Sequence, residues 1–107
     1  MEDFATMLNS AMKDRGYSVR ALEVELVKRY GSKKKISRSL IGDYKQGKRA
    51  PTYDGAAMIA SVLEINKEKL LTAAFILKSR IRQEAERRRF EEFCKKNEIS
   101  IPGRWLQ

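Results

Sequence analysis

The residues with the most distinctive chemistry are lysines and arginines, which are concentrated in about a fifth of the chain. Positions 28–49 carry nine cationic residues against a single acid, Asp43, so the local charge of this segment is +8. Such a density of positive charge attracts polyanions, and the phosphates of nucleic acids are the leading candidates. The same segment contains the apolar residues Leu40, Ile41 and Tyr44, which can anchor part of it to a core.

The chain as a whole is also basic. Its 107 residues carry a net charge of +9, and a chain of this length suits one compact domain with a tail. The longest apolar run, 70–77, is too short to span a bilayer, and the acidic start lacks the charge pattern of a secretory signal. The lone Cys94 cannot form an internal disulfide, which is typical of a reducing compartment. We therefore expect a cytoplasmic protein with no membrane partner.

The composition also argues against most enzyme chemistry. The chain has no histidine, which excludes a histidine general base, a histidine-based catalytic triad and a metal site that uses imidazole. One cysteine cannot build a cysteine-rich zinc site, and the six glycines form no phosphate-binding loop. We expect no enzyme activity, no catalytic residues, no metal site and no cofactor.

Five helices and no strands are predicted to position the basic residues. Apolar residues recur at helical spacing, Ser18, Ser37 and Asn66 are suited to cap helix starts, and glycines stand where helices should stop. The predicted helices cover residues 2–15, 19–30, 37–46, 53–63 and 67–96. Their expected apolar positions are Phe4, Leu8, Ala11 and Met12 in the first, Leu22, Leu26 and Tyr30 in the second, Ala57, Ala60 and Leu63 in the fourth, and Leu70, Ala74, Leu77, Ile81 and Ala85 in the fifth.

The short third helix separates an apolar face from a polar one. Leu40, Ile41 and Tyr44 share the inner face, while the outer face carries small or hydrogen-bonding residues. These outer residues are Arg38, Ser39, Gly42, Asp43 and Gln46. A helix of this kind fits the major groove of DNA, where an arginine can pair with guanine and an aspartate can accept from cytosine. Leu40 has two interpretations, core packing or contact with a thymine methyl group, whereas Tyr44 is expected in the core.

A set of spacings from Ser18 onward resembles a known family. The matching residues are Ser18 with Leu22, Ser37 with Ile41, the motif formed by Gly47, Arg49 and Pro51, and Ala60 with Leu63. With them, residues 4–71 resemble the helix-turn-helix domain of the lambda/434 repressor and Cro type, also called the XRE family. The resemblance implies an all-α, five-helix lambda-repressor-like domain, here with an extended C-terminal helix and a short tail. We accordingly divide the chain into a DNA-binding domain, 1–71, and a C-terminal extension, 72–107.

The resemblance also assigns roles to individual residues. It implies contacts with base edges from Arg38, Ser39 and Asp43, and contacts with phosphates from Ser37, Gln46, Lys48 and Arg49. To these, the charge pattern adds Lys33, Lys34 and Lys35, which otherwise form a solvated loop. The chain departs from the family pattern at Glu23, where a small alanine is usual, at Val19 and Lys45, and in the longer connection between the two motif helices.

These features predict a sequence-specific transcriptional regulator, a repressor of bacterial or phage type, whose partner is double-stranded DNA. The chain has no room for a separate sensor domain, so dimerisation is expected to use the fifth helix and the tail. The candidate dimerisation residues are Leu77, Ile81, Phe90, Phe93 and Trp105. A two-fold homodimer would bind a roughly palindromic site with half-sites about one helical turn apart.

Two other functions remain open. The chain could be an antitoxin-type interaction module whose C-terminal helix binds a partner protein. The arginine run Arg87–Arg89 has three interpretations. A solvated helix face is favoured, because acids stand three or four residues from the arginines, extra phosphate contact comes second, and RNA binding by the segment from Arg80 to Arg89 comes third. These acids are Glu84, Glu86, Glu91 and Glu92. Cys94 is expected to be an inert thiol, with redox sensing as the less favoured alternative.

Overall fold

The computed structural model describes residues 3–32 and 36–98, which form five α-helices and, within those ranges, no strand. The helices are α1 (Phe4–Arg15), α2 (Val19–Tyr30), α3 (Arg38–Gln46), α4 (Tyr53–Leu63) and α5 (Lys67–Lys96). The expectation of an all-α chain with five helices, the last of them long, is confirmed. The predicted start of α1 at residue 2 is two residues before the observed start, because Asp3 caps a helix that begins at Phe4.

Each helix begins with a side chain that accepts a hydrogen bond from a free backbone N–H. The pairs, named with the cap first, are Asp3 and Thr6, Ser18 and Ala21, Ser37 and Leu40, Thr52 and Gly55, and Asn66 and Lys69. Such caps satisfy donors that have no partner inside the helix. The three caps predicted from sequence are confirmed. Gly47 ends α3 in the left-handed conformation, at φ 72°, which glycine adopts without steric cost.

All five helices contribute to one core. Its fully buried side chains come from every helix, and they are Phe4 and Leu8 of α1, Leu22 of α2, Ile41 of α3, Ile59 and Leu63 of α4, and Leu70 of α5. Helix α4 packs against α5, α1 packs against α3 and α5, and α2 packs against α3 and α4. The core therefore fixes α3 between α1 and α2.

Three residues of the predicted apolar stripes lie outside this core, and the first is Ala57 of α4, which is partly buried beside a surface cavity. Tyr30 is 36% exposed at the last turn of α2, where it only borders a shallow surface cavity beside α4. Ala85 is exposed on α5, where it borders a surface cavity beside the turn after α3. Periodicity predicts these positions, but it does not show how far the other helices extend over them.

Helix α5 reaches well beyond the core. Its 30 residues span roughly 45 Å at the rise of an α-helix. Leu70, Ala73, Ala74 and Leu77 are buried, whereas every residue from 82 to 90 is exposed. The helix runs unbroken through positions 71 and 72, so its N-terminal half belongs to the same packed unit as α1–α4 while its C-terminal half projects from it.

Replacing Ser37 with alanine is expected to lower the free energy of unfolding by about 1 kcal/mol, because the first turn of α3 loses its cap. Urea denaturation followed by circular dichroism measures the change. Ser39→Ala is the matched control, since Ser39 lies two residues later, is exposed and does not cap the helix. An equal loss in both variants would contradict the capping role of Ser37.

Candidate nucleic-acid interface

The inner face of α3 holds this helix against the body. Ile41 and Tyr44 are buried, and Leu40 is half-buried against the core. The ring of Tyr44 meets the ring of Phe4 edge-on, with 6.2 Å between their centroids. Burial raises the pKa of the Tyr44 phenol above its ordinary value, so the side chain is uncharged at neutral pH. Of the two interpretations of Leu40, core packing accounts for the buried part of its side chain.

The outer face of α3 is open to solvent. Arg38, Ser39 and Gln46 are exposed, and Gly42 and Asp43 are partly exposed. A Cβ atom added at Gly42 would meet no atom within 4 Å, so no other part of the described chain covers the middle of this face. The predicted outward orientation of the polar side is therefore present, and the residues assigned to base edges share one accessible surface.

A glutamate on α2 fastens the N-terminal end of α3. The Glu23 carboxylate accepts a hydrogen bond from the Arg38 backbone N–H at 2.9 Å, and its other oxygen lies 3.1 Å from Arg38 Nε. The Glu23 side chain is only 13% exposed, whereas the Arg38 side chain is 61% exposed. An anion at a helix N-terminus is also favoured by the helix dipole. The departure from the family pattern at Glu23 thus coincides with an ion pair that joins α2 to the first residue of α3.

A second ion pair spans the C-terminal half of α3 and the turn that follows. Arg49 Nε lies 3.4 Å from a carboxylate oxygen of Asp43. Asp43 is therefore already engaged in the free protein, and a cytosine amine would have to use its other oxygen or displace Arg49. The Arg49 side chain stays largely exposed, so the pair orients its guanidinium at the surface without burying it.

The turn after α3 is fixed by backbone contacts and by α1. The Lys48 N–H donates to the Asp43 carbonyl at 3.0 Å, which closes the end of the helix. The Asn9 amide donates to the carbonyls of Lys45, at 2.9 Å, and Ala5, at 2.8 Å. Asn9 was not predicted as a site residue, because nothing in the sequence near position 9 indicates a partner 36 residues away.

The predicted phosphate contacts lie around this helix and turn. Gln46, Lys48 and Arg49 are exposed, while Ser37 is partly buried as the cap of α3. The loop lysines Lys33, Lys34 and Lys35 fall outside the described residues. The structure thus brings together the two ends of α3 and the following turn on one surface.

The predicted dimerisation residues are not equivalent. Leu77 is 8% exposed and belongs to the core of its own chain, and Ile81 packs against that core. Both face inward because the body covers this side of α5. Phe90 and Phe93 lie on the projecting half of α5, and Phe93 is 59% exposed. Trp105 falls outside the described residues, and dimerisation itself stays a prediction.

Across 3–32 and 36–98, no helix is both long and apolar enough to cross a membrane. In the same ranges, no three cysteine, aspartate or glutamate side chains are grouped so that they could hold a metal ion. Comparison with protein-family models, curated proteins and solved structures finds no match.

Proposed function

We propose that this chain is a sequence-specific duplex DNA-binding protein that places α3 in the major groove and regulates transcription. The observation that carries the proposal is the open polar face of α3, which is held in place at both ends. Glu23 ties its first residue to α2, and Asn9 ties its last turn to α1. A rigidly supported helix meets the geometric demand of base reading, since side chains must be placed accurately at base edges.

The size and chemistry of α3 fit this role. Nine residues form a helix of roughly 13 Å, short enough to enter the groove end-on or along its floor. Arg38 remains mostly exposed despite its pair with Glu23, so its guanidinium can reach a guanine edge. Ser39 lies beside it, and Gly42 leaves room for close approach.

The turn after α3 supplies contacts that do not depend on sequence. Lys48 and Arg49 are exposed there, and cations next to a groove-bound helix attract phosphates and fix the position of the protein on the duplex. We assign phosphate contacts to these two residues and to Gln46 and Ser37, as the family resemblance implies. The pair between Asp43 and Arg49 favours Asp43 as the residue that orients Arg49, with base contact as its second role.

We further propose that the protein acts as a homodimer and represses transcription in the cytoplasm of a bacterial or phage-infected cell. Exposed aromatic residues on α5 support the dimer: Phe75 lies in its N-terminal third, and Phe93 lies on its projecting half. Aromatic side chains that become buried in an interface contribute strongly to association. Two copies would present two α3 helices to a pseudo-palindromic site.

Selection of binding sites from a random duplex library, read together with the mass of the protein in solution, tests the proposal. We expect enrichment of one motif with two-fold symmetry, half-sites separated by about 10 base pairs, and a dimeric mass. Enrichment of no motif above the starting library would overturn sequence-specific binding. A motif bound by a monomer would overturn only the dimer.

The projecting half of α5 supports one other candidate function, an antitoxin-type module that binds a protein. Residues 82–90 are exposed throughout, and Phe93 follows on the same segment. Stoichiometric co-purification of one specific protein, lost on Phe93→Ser but retained on Arg38→Ala, would favour this function over DNA reading.

A further inference from the structure

The middle of α5 passes directly beside the turn that follows α3. A shallow cavity between them is bordered by Gly47 and Lys48 on the side of the turn, and by Ile81, Glu84, Ala85 and Arg88 on the side of α5. Gln46 of α3 and Arg80 of α5 both line a neighbouring cleft. Positions 80, 84 and 88 follow one another at helical spacing, so a single face of α5 borders the proposed phosphate contacts.

Arg80 and Arg88 differ in their ion pairing from Arg38, Arg49 and Arg87, each of which pairs with a carboxylate. Within residues 3–32 and 36–98, no carboxylate lies within 4.0 Å of the guanidinium of Arg80 or Arg88. By contrast, Arg87 pairs with Glu91 at 3.1 Å, one turn further along α5. The two arginines that border the turn are therefore available to an external anion, as are Arg82 and Arg89, which do not line the cavity beside the turn.

We propose that Arg80 and Arg88 extend the phosphate-binding surface of the turn along α5, so that the protein grips the DNA backbone beyond the base pairs that α3 reads. This inference rests on the proposed function and adds a second contact region to it. Its ligand is the phosphate backbone of the same duplex, because both arginines border the turn that carries Lys48. Glu84 lies between them on this face and Asp3 lines the same cleft as Arg80, so the surface carries three cations, Lys48, Arg80 and Arg88, against two anions.

The spacing on α5 sets the length of the extra contact. Arg80 and Arg88 are eight residues apart, which is about 12 Å along a helix axis. Successive base pairs rise 3.4 Å, so the two arginines cover roughly three or four base pairs of flanking duplex. The contact does not depend on the base sequence, so we expect it to affect affinity and salt dependence without altering the selected motif.

The test compares Arg88→Gln with Arg89→Gln. Both variants remove one positive charge from an exposed position of α5, but position 89 is turned by about 100° and does not border the cavity. We expect Arg88→Gln to reduce the slope of log affinity against log salt by about 0.9, the value for one lost phosphate contact. Arg89→Gln should leave the slope unchanged, and the double variant Arg80→Gln, Arg88→Gln should lose about twice as much as Arg88→Gln.

Two duplex lengths separate this contact from binding by α3. On a duplex trimmed to the motif, Arg88→Gln should match the parent protein, while on a duplex with at least five extra flanking pairs it should bind more weakly. Equal slopes for the 88 and 89 variants on the longer duplex would overturn the inference, as would a larger effect on a hairpin RNA. The slopes are also measured on random duplex, so they report this contact even if no preferred motif exists and the proposed function fails.

Discussion

Replacing Ile41 with alanine is expected to lower the free energy of unfolding by about 2–5 kcal/mol, the range for truncating a buried aliphatic side chain. Ile41 is fully buried, and it is the residue through which the middle of α3 reaches the core. The loss combines the transfer of side-chain atoms out of contact with the cost of the cavity left behind. A domain of this size has a total stability of only about 5–15 kcal/mol, so this single change removes a large share of it.

Leu40→Ala provides the matched control in the same helix. Leu40 is half-buried, so less apolar surface returns to water and the loss should be clearly smaller. Both variants are measured by urea denaturation at equal protein concentration, because dimerisation would otherwise add to the apparent stability. A loss under about 1 kcal/mol for Ile41→Ala would mean that α3 does not depend on this anchor, and the rigid presentation of its outer face would lose its basis.

The number, order and approximate bounds of the helices follow from local chemistry, which is why they were predictable. Ser37 caps α3 and Gly47 ends it through contacts within four residues, and the spacing of Ile41 and Tyr44 sets which side is buried. The outer face of α3 was predictable for the same reason, since it is what remains when the buried side is assigned. The DNA contacts assigned to that face remain predictions.

Contacts between distant segments were not predictable, because they depend on how the helices pack. The sequence marks Glu23 only as a departure from a family pattern, and its partner Arg38 lies 15 residues away across a loop. The position of Leu77 illustrates the same limit: a stripe of apolar residues shows which side of α5 is buried, but not whether its own chain or a second copy covers it. The packing of α1 and α4 against α5 decides this for Leu77 in favour of its own core.

The second large effect is expected on DNA binding when Arg38 is replaced. Arg38→Ala should weaken binding to the selected motif by about 1–3 kcal/mol and relax the preference at one base pair, because a bidentate contact with guanine is lost. Binding is measured on the selected motif and on variants with one substituted base pair. An equal loss on random duplex would contradict base reading and would make Arg38 a phosphate contact.

Glu23 allows a sharper test of base reading by Arg38, because its mostly buried carboxylate positions Arg38. Glu23→Gln keeps the size of the side chain and an oxygen for the Arg38 N–H, but it removes the charge that holds the guanidinium. The Arg38 side chain is exposed but the Glu23 side chain is mostly buried, so we expect the loss of this charge-assisted pair to lower the free energy of unfolding by about 1.5–3 kcal/mol. Without this carboxylate, the net charge beside the groove rises and the arginine is less restricted, so we expect stronger binding to random duplex and weaker discrimination between bases.

A double-mutant cycle distinguishes positioning from a general change of charge. If Glu23 acts through Arg38, then Glu23→Gln should reduce discrimination at the guanine contact only when Arg38 is present, with a coupling energy of about 0.5 kcal/mol or more. Strict additivity would mean that the two residues influence DNA independently. Val24→Ala supplies the control on the same helix, because Val24 is exposed. The free energy that separates correct from incorrect bases would then depend on a residue that does not itself touch DNA, since accurate reading requires the arginine to be held before the duplex arrives.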